Sequence, residues 1–217
     1  MITISTSIEI ICFLVSLLSL KYERNKSWLS LRLYLMVVCI VEFIGLYLKS
    51  QHHANQWPYN VLLPVQIVFT CFFFGDLFSC YLKSKPSIIP IIGGFALLSL
   101  LLIYSLFTQS FLIFYESAYN TMAVVFVIYS LCFFYLLQKD DRYIDLKISP
   151  QFWWVFGVLA FYFGSTAVNI FRGRLHIMIN SKHYLTYYIN IVLNIILYGC
   201  WSYSFICRRW LTTTSKG

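Results

Sequence analysis

Three acidic residues lie inside long apolar runs of the sequence, where a charged group is costly. They are Glu9, Glu42 and Asp76. A carboxyl group in such a setting carries a proton, pairs with a cation or binds a polar ligand, and it usually faces the interior of a helix bundle. These residues are therefore the first candidates for ligand binding or proton transfer.

Amide side chains occur in the same kind of apolar run. Residues three, four and seven apart share a helix face, and two such faces are polar: Tyr162, Ser165, Thr166, Asn169 and Arg172 on one, and Tyr187, Asn190, Asn194, Tyr198 and Trp201 on the other. A polar face either holds neighbouring helices together or lines a pocket, and the sequence leaves both open. The candidate pocket residues are Glu9, Glu42, Asn60, Gln66, Asn120, Asn169, Arg172, Asn190 and Asn194.

Arg172 is the nearest candidate cation for Glu42. An ion pair between them would join the second predicted helix to the sixth, whereas a protonated Glu42 would serve as a relay or a sensor. Asp76 lies one to two turns before Lys83 and is interpreted as an acid neutralised by that lysine.

The composition sets the class of protein. Of the 217 residues, 60% are hydrophobic, 20% are aromatic and only 11% are charged, and the mean hydropathy is +0.75. Soluble domains carry about 25% charged residues, and disordered, collagen-like or coiled-coil chains are more polar or repetitive, so all these classes are excluded. The apolar runs are continuous rather than alternating, which excludes a membrane β-barrel as well.

Seven apolar runs predict an all-α bundle of seven transmembrane helices in a single domain. Each run has about 18 to 23 residues, enough to cross a hydrocarbon core of roughly 30 Å. They lie near residues 2–20, 30–48, 61–82, 88–107, 118–137, 152–171 and 184–206.

The basic residues predict the orientation of this bundle. Twelve of the sixteen Lys and Arg residues fall on the side that holds the C-terminus, and four fall on the other side. Cytoplasmic loops retain positive charge, so we expect the N-terminus outside and the C-terminus in the cytoplasm. The charges of the first run follow it, which indicates a retained helix rather than a signal peptide. The net charge of +8 then reflects topology and contact with membrane lipids, and nucleic acid is not an expected partner.

The histidines and the remaining sequence patterns do not indicate a metal site, a cofactor or an enzyme. His52, His53, His176 and His183 fall in predicted outer loops, where they are weak candidates for metal binding or pH sensing, because their spacing matches no metal motif. We expect no metal site and no cofactor. The last run contains no lysine for retinal, and no nucleophile and base pair marks an enzyme.

Two segments carry a resemblance to a known group. Asn55-Gln56-Trp57-Pro58-Tyr59-Asn60 runs into Pro64-Val65-Gln66, and the run from Asn190 to Tyr198 precedes Cys207-Arg208-Arg209. Through them the chain resembles poorly characterised seven-helix integral membrane proteins of Bacteroidota-type bacteria. Those proteins favour Glu where this chain has Gln66. This departure weakens any proposal that the function requires a third carboxylate within the membrane. Similar modules occur as input halves of bacterial signalling proteins, so the resemblance implies sensing.

Two functions remain open from the sequence. A sensor or receptor-like component would use an outer-leaflet pocket and an unidentified cytoplasmic or membrane signalling partner. The alternative is a small-solute or ion transporter, in which Glu9, Glu42 and Asp76 would mark a proton-coupled path. Transport needs polarity that reaches both faces, and the gap between Asn194 and Asp76 favours the sensor.

Overall fold

Helices make up almost all of the described part of the chain. The computed structural model describes residues 3–81, 89–140, 145–175, 177–180 and 183–214. In chain order the helices are α1 Ile4–Ser19, α2 Lys26–Ser50, α3 Trp57–Tyr81, α4 Ile89–Thr108, α5 Glu116–Lys139, α6 Pro150–Ile170, the single turn α7 Arg172–Leu175, and α8 Leu185–Thr214. Between α7 and α8, the short strands β1 (Met178–Asn180) and β2 (His183–Tyr184) pair in an antiparallel hairpin.

Six of these helices, α2 to α6 and α8, are long and apolar enough to cross a membrane. The protein is therefore a multi-pass helical membrane protein. Helix α1 occupies the first predicted run, but its 16 residues span only about 24 Å, less than a hydrocarbon core of roughly 30 Å. The last helix extends from Leu185 to Thr214, eight residues beyond the predicted end at residue 206.

Local sequence signals fix where several helices begin. Asn25 caps α2, because its side-chain oxygen accepts the Ser27 N–H at 2.8 Å. Ser149 caps α6 in the same way, and Pro150 takes the first helical position, where a missing N–H costs nothing. These caps place the polar connections outside the helices and leave the apolar segments inside them.

Six helices form a closed ring. Contacts join α1 to α2 and α8, α3 to α2 and α5, and α6 to α5 and α8. Helix α4 lies outside the ring against α3 and α5, and it is the least buried of the six long helices. Helices α1, α3, α5 and α8 run in one direction and α2, α4 and α6 run in the other, so the ring has two distinct ends. We call the end with Ile4 and Leu185 the cavity end, and the opposite end the basic end.

An aromatic layer fills the ring toward the basic end. The rings of Phe73 and Trp154 have centroids 4.2 Å apart, and Trp154 stacks on Trp201 at 5.6 Å. Tyr34 meets Trp201 at 6.0 Å, and Trp28 meets Phe73 edge-on at 5.2 Å. All five side chains are at most 5% exposed. Edge-to-face and stacked pairs of this kind pack densely, so the layer is a closed part of the core.

An ion pair at the basic end joins the α1–α2 connection to α8. Glu23, between α1 and α2, accepts hydrogen bonds from Arg208 of α8, with Nε at 2.6 Å and Nη2 at 3.2 Å. The Glu23 carboxylate also accepts the backbone N–H groups of Arg24 and Asn25, each at 2.9 Å. Burial raises the pKa of Glu23, but these hydrogen bonds and the Arg208 charge outweigh it, so the pKa lies below its usual value.

Candidate functional site

Two adjoining cavities open among the helices at the cavity end. One, of about 300 Å³, contains Glu9 and Glu42 in its wall, and we call it the carboxylate cavity. The other, of about 660 Å³, contains Asn120, Asn169 and Asn190, and we call it the amide cavity. The two share four wall residues, Phe114, Tyr119, Phe161 and Asn194. They are therefore neighbouring chambers of one polar region.

The carboxylate cavity brings together the two acids expected from the sequence. Glu9 is five residues into α1 and only 5% exposed, and its Oε2 has no hydrogen-bond partner in the described part of the chain. Glu42, on the facing side of α2, is partly buried and accepts a hydrogen bond from the Tyr59 hydroxyl at 3.4 Å. A buried carboxyl oxygen without a partner is costly, so this wall is suited to bind a proton or a donor group.

Gly45 permits the contact between Tyr59 and Glu42. An added Cβ at Gly45 would lie 2.9 Å from the Tyr59 hydroxyl oxygen. Because Gly45 has no side chain, the Tyr59 ring of α3 can pack against α2, and its hydroxyl can reach the Glu42 carboxylate. Neither Tyr59 nor Gly45 is a candidate site residue from the sequence, although Tyr59 belongs to the segment that carries the family resemblance.

Gln66 and Tyr162 form the deeper polar wall of the carboxylate cavity. The Gln66 amide donates a hydrogen bond to the Tyr162 hydroxyl, which joins α3 to α6. Nearby, the Tyr119 hydroxyl and the Ser165 hydroxyl are 3.0 Å apart, which joins α5 to α6. The polar face predicted on the sixth run thus contacts partner helices and lines the cavities at the same time.

The amide cavity lies between α5, α6 and α8. Asn169 donates to the Asn120 side-chain oxygen at 2.7 Å, so these two amides bond each other across the α5–α6 contact. Asn194 donates to the backbone carbonyl of Asn190 at 2.9 Å, and Asn190 itself is exposed in the cavity wall. Asn190 and Asn194 therefore keep hydrogen-bonding capacity for a ligand, whereas Asn120 and Asn169 are largely used in packing.

Asn60 lines neither polar cavity and has a different role. Its amide nitrogen donates to the backbone carbonyls of Phe111 and Ile113, at 2.9 and 2.7 Å, and its oxygen accepts the Tyr115 N–H at 3.1 Å. It thus fixes the connection between α4 and α5. Gln56 adds a bond from the Phe114 N–H at 3.2 Å. Together they hold Phe114, an unforeseen site residue, in the wall that both cavities share.

Several other predicted site residues lie elsewhere or outside the described atoms. The side chains of Arg172 and His183 lie outside the described part, as do His176 and Lys83. Both predicted ion pairs therefore remain predictions.

His52 and His53 are exposed in the turn after α2. Asp76 is partly buried in an apolar groove between α3 and α4, away from both cavities. Among the described residues, no cluster of three or more metal-ligating side chains occurs.

The floor of the carboxylate cavity is the aromatic layer. Tyr34, Tyr162 and Trp201 form its deepest wall, and Trp201 stacks on Trp154 below. At the opposite side, Ser5 and Tyr59 lie in the first turns of α1 and α3, so the cavity reaches the cavity end of the bundle. The carboxylate cavity is therefore a blind pocket, with these aromatic rings between it and the basic end.

This fold and pocket define a multi-pass membrane protein with a polar chamber near one end. Comparison with protein-family models, with curated proteins and with solved structures found no match. The family resemblance therefore stays a prediction.

Proposed function

We propose that the protein is a sensor or receptor-like component of a bacterial inner membrane that binds a small ligand from the outer side. The observation that carries the proposal is the blind polar pocket, with the unpartnered Oε2 of Glu9 in its wall and the aromatic layer as its floor. In this proposal α1 serves as a seventh span, because it packs between α2 and α8 within the ring.

The charge distribution supports an outward-facing pocket. Lys21, Arg24, Lys26, Lys147 and Arg209 all belong to the end opposite the pocket. Positive charge is retained in the cytoplasm, so the pocket faces outward and the N-terminus is outside. The basic cytoplasmic face is then available to anionic lipid and to a separate signalling partner.

The closed floor supports reception over transport. A transporter exposes its site to each side in turn, usually through broken helices near the bilayer midplane. Helix α3 continues through Pro64 without interruption, and the stacked Trp154 and Trp201 rings close the route toward the basic end. Binding in such a pocket can change helix positions and so signal to a partner without moving the ligand across.

Cysteine labelling on both sides of the membrane tests this proposal. Asn194→Cys places a thiol in the wall shared by both cavities, and Ile195→Cys places the matched thiol on the lipid-facing side of the same helix, where Ile195 is 47% exposed. A membrane-impermeant maleimide reacts with a thiolate in water and spares a thiol in lipid. It is applied to intact cells and to inside-out vesicles, and peptide mass spectrometry locates the label among the native cysteines.

The proposal expects labelling of Asn194→Cys in intact cells alone, with Ile195→Cys unlabelled on both sides. Labelling of Asn194→Cys in inside-out vesicles alone would place the pocket toward the cytoplasm. Labelling from both sides would instead favour a transporter. Either result contradicts an outward blind pocket.

A further inference from the structure

The wall of the carboxylate cavity is acidic and aromatic, and no basic side chain of the described residues lines it. It contains Glu9 and Glu42 but neither Lys nor Arg. Glu9 is 5% exposed with an unpartnered Oε2, and Glu42 has only the long contact with Tyr59. Two carboxyl groups facing one cavity attract a positive charge, because a cation offsets the cost of burying them.

The shape of the cavity selects the kind of cation. A volume of about 300 Å³ far exceeds the space of a single bare ion, so a metal would leave most of the cavity empty. Eight of its seventeen wall residues are aromatic, among them Tyr34, Tyr198 and Trp201. Aromatic walls bind substituted ammonium groups through the negative faces of their rings, and their apolar bodies contact the attached carbon atoms.

We propose that the carboxylate cavity binds a substituted ammonium group, with Glu9 and Glu42 as its anionic partners and the surrounding aromatic rings as its cage. This inference rests on the proposed ligand-binding function and names the chemistry of the ligand. The ammonium group comes either from a small soluble amine or from the headgroup of an amine-bearing lipid, since both present the same charge and size.

Binding of phenethylammonium tests the inference. The whole protein is placed in nanodiscs of phosphatidylglycerol, which carries no ammonium group, and binding is measured by isothermal titration calorimetry against empty nanodiscs. We expect saturable binding of phenethylammonium that exceeds binding of its neutral analogue 2-phenylethanol by about tenfold or more, because only the charged amine forms charge-assisted hydrogen bonds with the carboxylates.

Variants of the two acids locate this binding. Glu9→Gln and Glu42→Gln each keep the side-chain size and remove the negative charge, and each is expected to weaken phenethylammonium binding about tenfold or more. Asp76→Asn makes the matched change on the carboxylate outside the cavity and should leave affinity within about twofold. A second set of nanodiscs, containing phosphatidylethanolamine, distinguishes the sources: competition assigns the site to a lipid headgroup, and unchanged affinity assigns it to a soluble amine.

The inference fails if 2-phenylethanol binds as tightly as phenethylammonium. This comparison uses only the parent protein, so it does not depend on the folding of any variant. It also fails if Glu9→Gln and Glu42→Gln bind phenethylammonium as the parent does, or if Ca²⁺ alone saturates the cavity and displaces the amine. Such results leave the outward pocket intact when Asn194→Cys is still labelled from outside, so failure of the ligand class and failure of the proposed function are separable.

Discussion

At the scale of single residues, the polar side chains within the helices divide by whether they have a partner. Asn120, Asn169 and Gln66 bond other side chains and so join helices. Glu9 has an unpartnered oxygen in the described structure, although it is almost wholly buried. Bonded amides explain how the ring is held together, while the unpartnered Glu9 oxygen marks where a ligand would supply the missing partner.

Asn60 is expected to contribute more to stability than the cavity asparagines. Asn60→Ala removes three hydrogen bonds and leaves the carbonyls of Phe111 and Ile113 without their donor. We expect a loss of about 1–3 kcal/mol in the free energy of unfolding, because unsatisfied groups keep their desolvation cost. Thermal unfolding of the purified protein measures this.

Asn190→Ala is the matched control, because the exposed Asn190 side chain lines the amide cavity. Its melting temperature should stay close to that of the parent. Equal destabilisation by the two variants would show that the bonds from Asn60 to the α4–α5 connection carry no special weight.

The sequence identified part of this site and missed the rest for a physical reason. Glu9 and Glu42 were predictable, because a carboxyl group in an apolar run has few structural uses. Phe114 and Tyr59 were not, because aromatic residues are abundant throughout the chain and their type carries no positional signal. The role of Asn60 depends on a connection more than fifty positions away in sequence, which the amide spacing along one helix does not show.

At the scale of elements, close approach of helices depends on small residues. Gly157 of α6 faces α8, where an added Cβ would lie 3.0 Å from the Cys200 Cβ and 3.2 Å from the Leu197 carbonyl oxygen. Gly164, two turns further along α6, faces the end of the Leu193 side chain rather than backbone. Small residues of this kind let membrane helices pack backbone to backbone.

Gly157→Ala should therefore destabilise the α6–α8 contact. The added methyl group meets backbone, which cannot turn aside, so we expect a loss of about 1–3 kcal/mol. Gly199→Ala is the control on α8, because an added Cβ there meets nothing within 4 Å. That variant should be neutral or more stable by up to about 1 kcal/mol through helix propensity. If Gly157→Ala and Gly199→Ala give the same melting temperature, the close α6–α8 contact at Gly157 does not determine the stability of the protein.

The connection between α1 and α2 should stabilise the protein in a pH-dependent manner. The pKa of folded Glu23 is lowered, so its ion pair with Arg208 stabilises the fold above the ordinary glutamate value of about 4.3. This contribution is lost as the pH falls from that value through the lower pKa of the folded state. Glu23→Gln should lower the melting temperature at neutral pH.

The pH profile supplies the check on this ion pair. The difference in melting temperature between parent and Glu23→Gln should shrink steadily in acid and vanish once Glu23 is protonated in both states. A difference that is constant across the range would mean that Glu23 acts through packing rather than through charge.

At the scale of the whole molecule, composition predicted the helical membrane class but not the arrangement of the helices. Leu98 and Leu100 of α4 illustrate the reason: the first is 1% exposed and the second 65% exposed. Both surfaces of a membrane helix are apolar, since one faces lipid and the other faces neighbours, so the sequence pattern does not tell which helices adjoin. The ring, the outlying α4 and the short α1 were visible only in three dimensions.

A wet polar pocket should open at the cavity end of the bundle and stop at the aromatic layer. An experimental structure in lipid at a resolution that shows water tests it most directly. We expect water or ligand density between Glu9 and Glu42, and none between the Trp154–Trp201 stack and the basic end. A continuous file of water past Trp201, or a collapsed dry space around Glu9, would contradict it.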